Sequence, residues 1–221
     1  ADAQISDAPV LFSWPSSASL LGYASDRESV TYSRDALAEL LTGLGETSGG
    51  KPVTVFGHSM GGWLVMETLR QMRIAGEDEA LSRLEVVLAA PDIDVDVFRQ
   101  QLAVIGRMEI PMVVMVSPDD RALGLSAVAG QRTRVGALDI TDPAVQAAAQ
   151  QSDVVLIDIS AVGASSRLNH DRYIQLASAF PTLGREMRQG STFTEAGAFV
   201  LSSTGQILSA PLRVVDAALG Q

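Results

Sequence analysis

The stretch Val53-Thr-Val-Phe-Gly57-His58-Ser59-Met60-Gly61-Gly62-Trp63 decides how the rest of the chain is interpreted. It contains the pattern G-x-S-x-G between an apolar β-rich run and a helical pattern, a context in which a tight turn strains the serine and exposes its Oγ. We therefore interpret Ser59 as a nucleophile and the Met60 amide, in the first turn of the helix, as a donor to an oxyanion. Glycine at positions 57 and 61 is explained if the strand and the helix approach too closely there to leave room for a side chain. The alternative is a glycine-rich turn with an incidental serine.

Short apolar runs alternate with helical patterns on both sides of this stretch. The predicted strands are residues 9–14, 53–56, 85–90, 112–116 and 154–158. The predicted helices are one around residues 37–44 that ends at Gly45, and residues 61–75, 94–105, 121–129 and 143–151. Strands that are apolar throughout and separated by helices indicate a parallel sheet covered on both faces. The predicted fold class is α/β, a three-layer, doubly wound and mainly parallel sheet.

The C-terminal part of the chain has a different pattern. Residues 198–201 and 206–209 flank Ser-Ser-Thr-Gly and indicate a hairpin, and a short helix is predicted from Pro211. We expect one domain over residues 1–190, with residues 191–221 as an appendage packed on the same domain.

A serine nucleophile needs a base that a third group orients, and in this strand-turn-helix context the acid and then the histidine follow the serine in the chain. Asp119 and Asp120 come directly after the fourth predicted strand, at the sheet edge expected for Ser59. We prefer Asp120 because S-x-x-D-x-x-L resembles the common G-x-x-D-x-x-V form of the acid turn, and Asp119 is then a solvated turn residue. Asp92 and Asp94, after the third predicted strand, are the alternative acids.

The chain has two histidines, so few choices exist for the base. His170 follows the last long predicted strand through a polar loop and precedes a helical pattern, in the right order for a general base. The alternative is a surface histidine. His58 adjoins the nucleophile, and its side chain should diverge from that of Ser59, which favours a structural or pocket role.

Composition excludes several classes of protein. The chain has 221 residues, of which 47% are hydrophobic, and a net charge of −10, so it can bury a large core but should repel nucleic acid. It has no cysteine and two histidines, which excludes disulfides, thiolate zinc sites and histidine-rich metal sites. We expect no metal and no organic cofactor.

The longest charge-free run, residues 8–25, contains Pro15 and many serines and does not indicate a membrane span. Lys51 is the single lysine, and this arginine-rich usage suggests a bacterial source.

With these residues the chain resembles the α/β-hydrolases and, more narrowly, a bacterial family of unknown function among them. The resemblance covers roughly residues 8–190 and is carried by Leu11-Phe-Ser-Trp-Pro-Ser16, Tyr23 with Asp26-Arg27, the turn at Ser59, Ala90-Pro-Asp-Ile-Asp94, and Ser117 to Leu123 with the His170 loop. It implies an esterase-like serine hydrolase. Its expected partner is a small-molecule or lipid-like ester, which Ser59 attacks while His170 takes the proton and Asp120 holds the imidazole.

The chain departs from the family's pattern at its N-terminus. Such proteins carry, upstream of the segment around Phe12, a strand that ends in a His-Gly loop and then a helix, and the loop supplies a second oxyanion amide. Residues 1–7 look like the tail of that helix. We call the turn at Gly57–Gly61 the elbow, and we expect the predicted strand 9–14 to lie beside strand 53–56, which leads into it. Its other edge should pair with a segment outside this sequence, with a second chain, or with the C-terminal hairpin.

Trp14 and Trp63 flank the elbow and are candidates for a substrate pocket, although buried aromatic residues beside a turn are also ordinary packing. A lipase or an acyltransferase with the same three residues is the alternative enzyme, and the sequence has no lid-like insertion. A binding or envelope-associated module with an α/β-hydrolase fold is the non-catalytic alternative, which the missing His-Gly loop favours.

Overall fold

The computed structural model describes residues 8–16, 22–130, 132–164, 166–174 and 213–215. The strands are β1 (Val53–His58), β2 (Leu84–Ala89), β3 (Met112–Val116), β4 (Val154–Asp158) and β5 (Arg213–Val215). The helices are α1 (Tyr23–Thr47), α2 (Met60–Ala75), α3 (Asp78–Leu81), α4 (Val95–Ile105), α5 (Arg121–Gly130) and α6 (Pro143–Gln151), with a 3₁₀ turn at Val135–Ala137.

The strands form one sheet in the order β1-β2-β3-β4-β5, in which β1 to β4 are parallel and β5 is antiparallel to β4. Every residue of β3 is buried, as expected for a central strand covered on both faces. The predicted α/β fold with a mainly parallel sheet is therefore confirmed. Parallel strands end at the same edge, so the segments after β1, β2 and β3 meet at the carboxyl edge of the sheet.

Local sequence signals set the ends of several helices. The Asp94 carboxylate accepts hydrogen bonds from the amides of Asp96 and Val97 and caps the start of α4. Helix α6 begins with Pro143, which has no amide hydrogen to leave unpaired. Helix α2 ends at Gly76, whose φ of 78° is left-handed.

Packing of α1 and α4 against α2 builds much of the core on the sheet.

The N-terminal segment differs from its prediction, since residues 8–16 form no strand. Phe12 and Trp14 pack against the core, whereas Val10 and Leu11 are 61% and 92% exposed. A proline near each end of the segment also removes a ladder donor. Among the described residues β1 pairs with β2 alone. The predicted strand 9–14 is thus wrong, and the expectation about its free edge loses its basis.

Two further boundaries differ from the sequence prediction. Gly45 lies inside α1 rather than after its end, and a Cβ there would lie 3.1 Å from the Ala80 Cα, so close packing accounts for this glycine. The helix predicted from Pro211 is wrong, because residues Arg213–Val215 form β5 and pair with β4. The predicted hairpin lies outside the described residues, and the division at residue 190 stays a prediction.

Candidate active site

The backbone at Ser59 is strained. Ser59 lies between the last residue of β1 and the first residue of α2, with φ 53° and ψ −121°. A non-glycine residue in such a conformation costs about 1–3 kcal/mol and persists only where the surroundings hold it. Three backbone hydrogen bonds do so here: the Ser59 amide donates to the Ala89 carbonyl (3.0 Å), and the Ser59 carbonyl accepts from Gly62 (3.0 Å) and Asp92 (3.1 Å).

Glycines allow the strand and the helix to meet at this turn, although not the pair that the sequence suggested. A Cβ on Gly57 would lie 3.0 Å from the Gly62 Cα, and a Cβ on Gly62 would lie 3.0 Å from Pro91. Gly61 instead faces Trp14, where a Cβ would lie 3.4 Å from the indole ring, an ordinary contact. The close approach therefore requires Gly57 and Gly62.

Met60 begins α2, so its amide belongs to the first turn, where amides have no partner within the helix. The positive end of the helix dipole lies at the same place. The amide is thus suited to donate to a negatively charged oxygen beside Ser59. Its assignment as an oxyanion donor stays a prediction.

Asp120 and His170 are joined by a hydrogen bond of 2.7 Å between Oδ2 and Nδ1. The Asp120 side chain is fully buried and that of His170 is 20% exposed. The other carboxylate oxygen, Oδ1, accepts from the Leu123 amide (3.0 Å), so the first turn of α5 fixes the carboxylate. A neutral His170 that donates from Nδ1 leaves Nε2 as a proton acceptor.

His58 links the His170 loop to the elbow. Its Nε2 donates to the His170 carbonyl (3.1 Å), and the two imidazole rings lie 4.6 Å apart. Burial, together with the neighbouring His170, lowers the pKa of His58 to about 4. Neutral His58 therefore holds the loop beside Ser59. Among the described contacts no hydrogen bond joins Ser59 Oγ to His170, so the base is close to the elbow but not bonded to the nucleophile.

Asp92, an alternative acid, is engaged elsewhere. Its carboxylate accepts from the hydroxyls of Tyr23 (2.7 Å) and Ser126 (2.8 Å) and pairs with Arg134 at 3.2 Å. Burial raises the pKa of Tyr23, which stays a neutral donor. The Asp92 amide also donates to the Ser59 carbonyl. This buried cluster therefore helps to hold the backbone of the elbow in place. The sequence did not predict this cluster, because Tyr23 and Arg134 lie far apart in the chain.

The remaining two carboxylates also have partners other than His170. Asp94 caps α4. Asp119 forms a two-pronged ion pair with Arg172, which holds the pKa of its carboxyl below the usual range. Asp119 is exposed and lies in a turn, as the sequence predicted. Its pairing with Arg172 was not predicted, because this partner lies in a distant loop. Of the four candidate acids, Asp120 is the one bonded to His170.

Trp14 lies beside the first turn of α2, and Trp63 is part of that turn. Trp14 packs against Gly61, and Trp63 carries the Arg27 guanidinium 4.1 Å above its ring. Arg27 therefore stacks on an aromatic ring. Both indole nitrogens are buried without a hydrogen-bond partner among the described residues. Their assignment to a substrate pocket stays a prediction.

The family of the chain follows from comparison with family models. The model for alpha/beta hydrolases of unknown function (DUF900) matches residues 1–186. The chain belongs to this family. Its match spans the elbow, the Asp120 turn and the His170 loop, so all three lie within the DUF900 domain. Comparisons with curated proteins and with solved structures found no match.

The described part of this DUF900 domain has neither a metal-binding cluster nor a membrane-spanning helix. No group of three or more His, Asp or Glu side chains there is arranged to hold a metal ion. No described helix is both long and apolar enough to cross a membrane.

Proposed function

We propose that the chain is a serine hydrolase of the carboxylesterase type, with Ser59 as nucleophile, His170 as base and Asp120 as acid. The observation that carries the proposal is the 2.7 Å hydrogen bond between Asp120 and His170. A serine at a positive φ lies at the same edge of the sheet. Strained backbone and a buried carboxylate–imidazole pair are each costly, and together they are typical of nucleophilic catalysis.

In the acylation step, Ser59 Oγ attacks the carbonyl carbon of a carboxylic ester while His170 Nε2 takes the hydroxyl proton. The carbonyl electron pair moves onto oxygen, and the Met60 amide donates to the oxyanion. One such donor lowers the barrier by about 3–4 kcal/mol. The proton on Nε2 then passes to the alkoxide oxygen as the ester C–O bond breaks, which releases the alcohol and leaves an acyl group on Ser59.

In the deacylation step, water attacks the acyl carbon and gives its proton to His170 Nε2. The proton returns to Ser59 Oγ as the acyl–oxygen bond breaks, and a carboxylic acid leaves. The imidazolium formed twice in this cycle is stabilised by the Asp120 carboxylate. His58, with a pKa of about 4, is neutral at pH 7 and adds no opposing positive charge.

A fluorophosphonate probe tests the proposal, because it forms a stable adduct with an activated serine. The wild-type chain should be labelled on Ser59, as located by peptide mass, and should hydrolyse short p-nitrophenyl esters. Ser59→Ala should abolish both reactions. Ser82→Ala, at an exposed serine after α3, is the matched control and should behave as wild type. Labelling of wild type no faster than that of Ser59→Ala would refute the proposal.

The same assay separates the related enzymes. Activity confined to long-chain esters would indicate a lipase, and acyl transfer to an added alcohol would indicate an acyltransferase.

A non-catalytic binding module is the second candidate. It is favoured by the missing hydrogen bond between Ser59 Oγ and His170 among the described contacts. A chain that is folded at neutral pH yet inert to the probe would support this candidate over the esterase.

A further inference from the structure

A second charged pair lies directly beside the Asp120–His170 pair. Asp119 precedes the acid by one residue, and Arg172 follows the base by two. The Arg172 guanidinium donates to both Asp119 oxygens, with a distance of 2.8 Å from Nη2 to Oδ2. Arg172 is 7% exposed, so this contact holds a buried cation between the two segments.

Additional hydrogen bonds tie the same two segments together. Ser117 Oγ donates to Asp119 Oδ1 (2.7 Å) and accepts from Arg172 (2.6 Å). The Asn169 amide group donates to the Asp119 carbonyl (3.2 Å) and to Oδ2 (3.1 Å), with Asn169 itself in the left-handed region at φ 60°. We call this set of Ser117, Asp119, Asn169 and Arg172 the clamp.

The clamp contacts the loop that carries His170, a segment without strand or α-helix among its described residues. The described residues 166–174 contain turns and a short 3₁₀ segment but no strand or α-helix. The His170 loop is therefore held by specific contacts, which include the clamp, the Asp120 and His58 contacts with His170, and a bond from the Arg121 amide to the Leu168 carbonyl (2.9 Å). The Tyr173 ring also packs against the rings of Phe56 and His58. The bidentate guanidinium–carboxylate contact fixes orientation as well as distance, which a single point charge does not.

We propose that Asp119 and Arg172 are positioning residues, which lock the His170 loop onto the Asp120 turn and so aim the His170 imidazole at Ser59. The proposal rests on the proposed esterase function. Neither residue needs to touch substrate for this role. His170 and Ser59 share no hydrogen bond among the described contacts, so the position of the loop determines whether the base reaches the nucleophile.

Breaking the clamp should slow the chemical step and leave substrate binding almost unchanged. A misplacement of a reacting group by about 1 Å costs roughly 100-fold in rate. We therefore expect Asp119→Asn to lower kcat on p-nitrophenyl acetate by roughly 10- to 100-fold, with KM within about twofold. Arg172→Lys retains the charge but loses the fork, so it should recover part of that rate compared with Arg172→Gln. A double variant, Asp119→Asn with Arg172→Gln, should be no slower than the slower single variant, as expected for residues that act as a unit.

Asp153→Asn is the matched control. Asp153 also pairs with an arginine, Arg107 at 3.1 Å, but it precedes β4 and so lies at the opposite edge of the sheet. Its φ of 53° is one that asparagine tolerates. This variant should keep the wild-type kcat.

Amide hydrogen exchange over residues 166–174 tests the positioning independently of activity. Asp119→Asn and Arg172→Lys should each speed exchange there by at least about tenfold, while exchange in β2 and β3 stays at the wild-type rate. A wild-type chain inert to the fluorophosphonate probe would remove the esterase proposal, and faster exchange in these variants would still support the clamp. Wild-type kcat together with wild-type exchange in Asp119→Asn would overturn the proposal. If that variant does not fold, the same pair of results in Arg172→Lys decides.

Discussion

Lowering the pH should destabilise the folded chain through His58. This imidazole has a pKa of about 4 in the fold, because burial and the neighbouring His170 disfavour its charged form, against an ordinary value of 6.5. The unfolded chain therefore binds a proton at higher pH than the folded chain. The contribution of neutral His58 is fully present above pH 6.5 and is lost as the pH falls toward 4.

The size of this effect follows from the two pKa values. Between pH 8 and pH 5 the proton taken up by the unfolded chain should cost the fold about 2 kcal/mol. A range that stops at pH 5 stays above the isoelectric point near 4.6, where a loss of net charge would promote association.

His58→Gln is the variant that isolates the effect. The glutamine amide can still donate to the His170 carbonyl, but it does not titrate. Urea unfolding followed by tryptophan fluorescence at pH 8, 7, 6 and 5 gives the free energy of unfolding for both chains. All other titrating groups are common to the two chains. Between pH 8 and pH 5, the free energy of unfolding should therefore fall by about 2 kcal/mol more in wild type than in the variant. Parallel curves would refute the reasoning, since they would mean that His58 is solvated and titrates normally in the fold.

The remaining predictions concern the acid and two glycines. Asp120→Asn should reduce ester hydrolysis by roughly 10⁴-fold with little loss of fold stability, by analogy with other triads that lose the aspartate charge; wild-type turnover would exclude Asp120 as the acid. Gly136→Ala should lower the free energy of unfolding by about 1–3 kcal/mol, as overpacking does, because a Cβ there would lie 2.5 Å from the Ala90 carbonyl carbon. Gly124→Ala, in α5 with nothing within 4 Å of the added Cβ, should instead raise it by about 0.5–1 kcal/mol. Equal urea midpoints for the two glycine variants would contradict this packing argument.

The sequence predicted the central sheet well because its signals there are local. The apolar run at Met112–Val116 and the one at Val154–Asp158 are bounded by polar or turn residues, and both strands have the predicted bounds. Pro143 at the first turn likewise defined α6. The elbow could be recognised because its chemistry is contiguous, with a strand, a serine between glycines and a helix in immediate succession.

The parts that the sequence did not predict depend on partners distant in the chain. The helix expected after Pro211 is a strand because β4 lies beside it, and pairing of this kind overrides local preference. Asp119 had no visible partner, since Arg172 lies 53 residues further on. The segment 8–16 was apolar enough to indicate a strand, but an apolar run forms one only where a neighbouring strand accepts its hydrogen bonds.

The strand β5 has a consequence for any shortened form of the protein. The family match ends at residue 186, so a chain cut at that point would contain every candidate site residue and would seem complete. It would nevertheless lack residues Arg213–Val215, which pair with Leu156, Ile157 and Asp158 of β4. The outer side of β4 would then present unpaired amides and carbonyls next to buried apolar side chains, an arrangement that recruits strands from other molecules. Recombinant work that aims at soluble, monodisperse material should therefore retain the C-terminal residues, even though none of the proposed chemistry resides there.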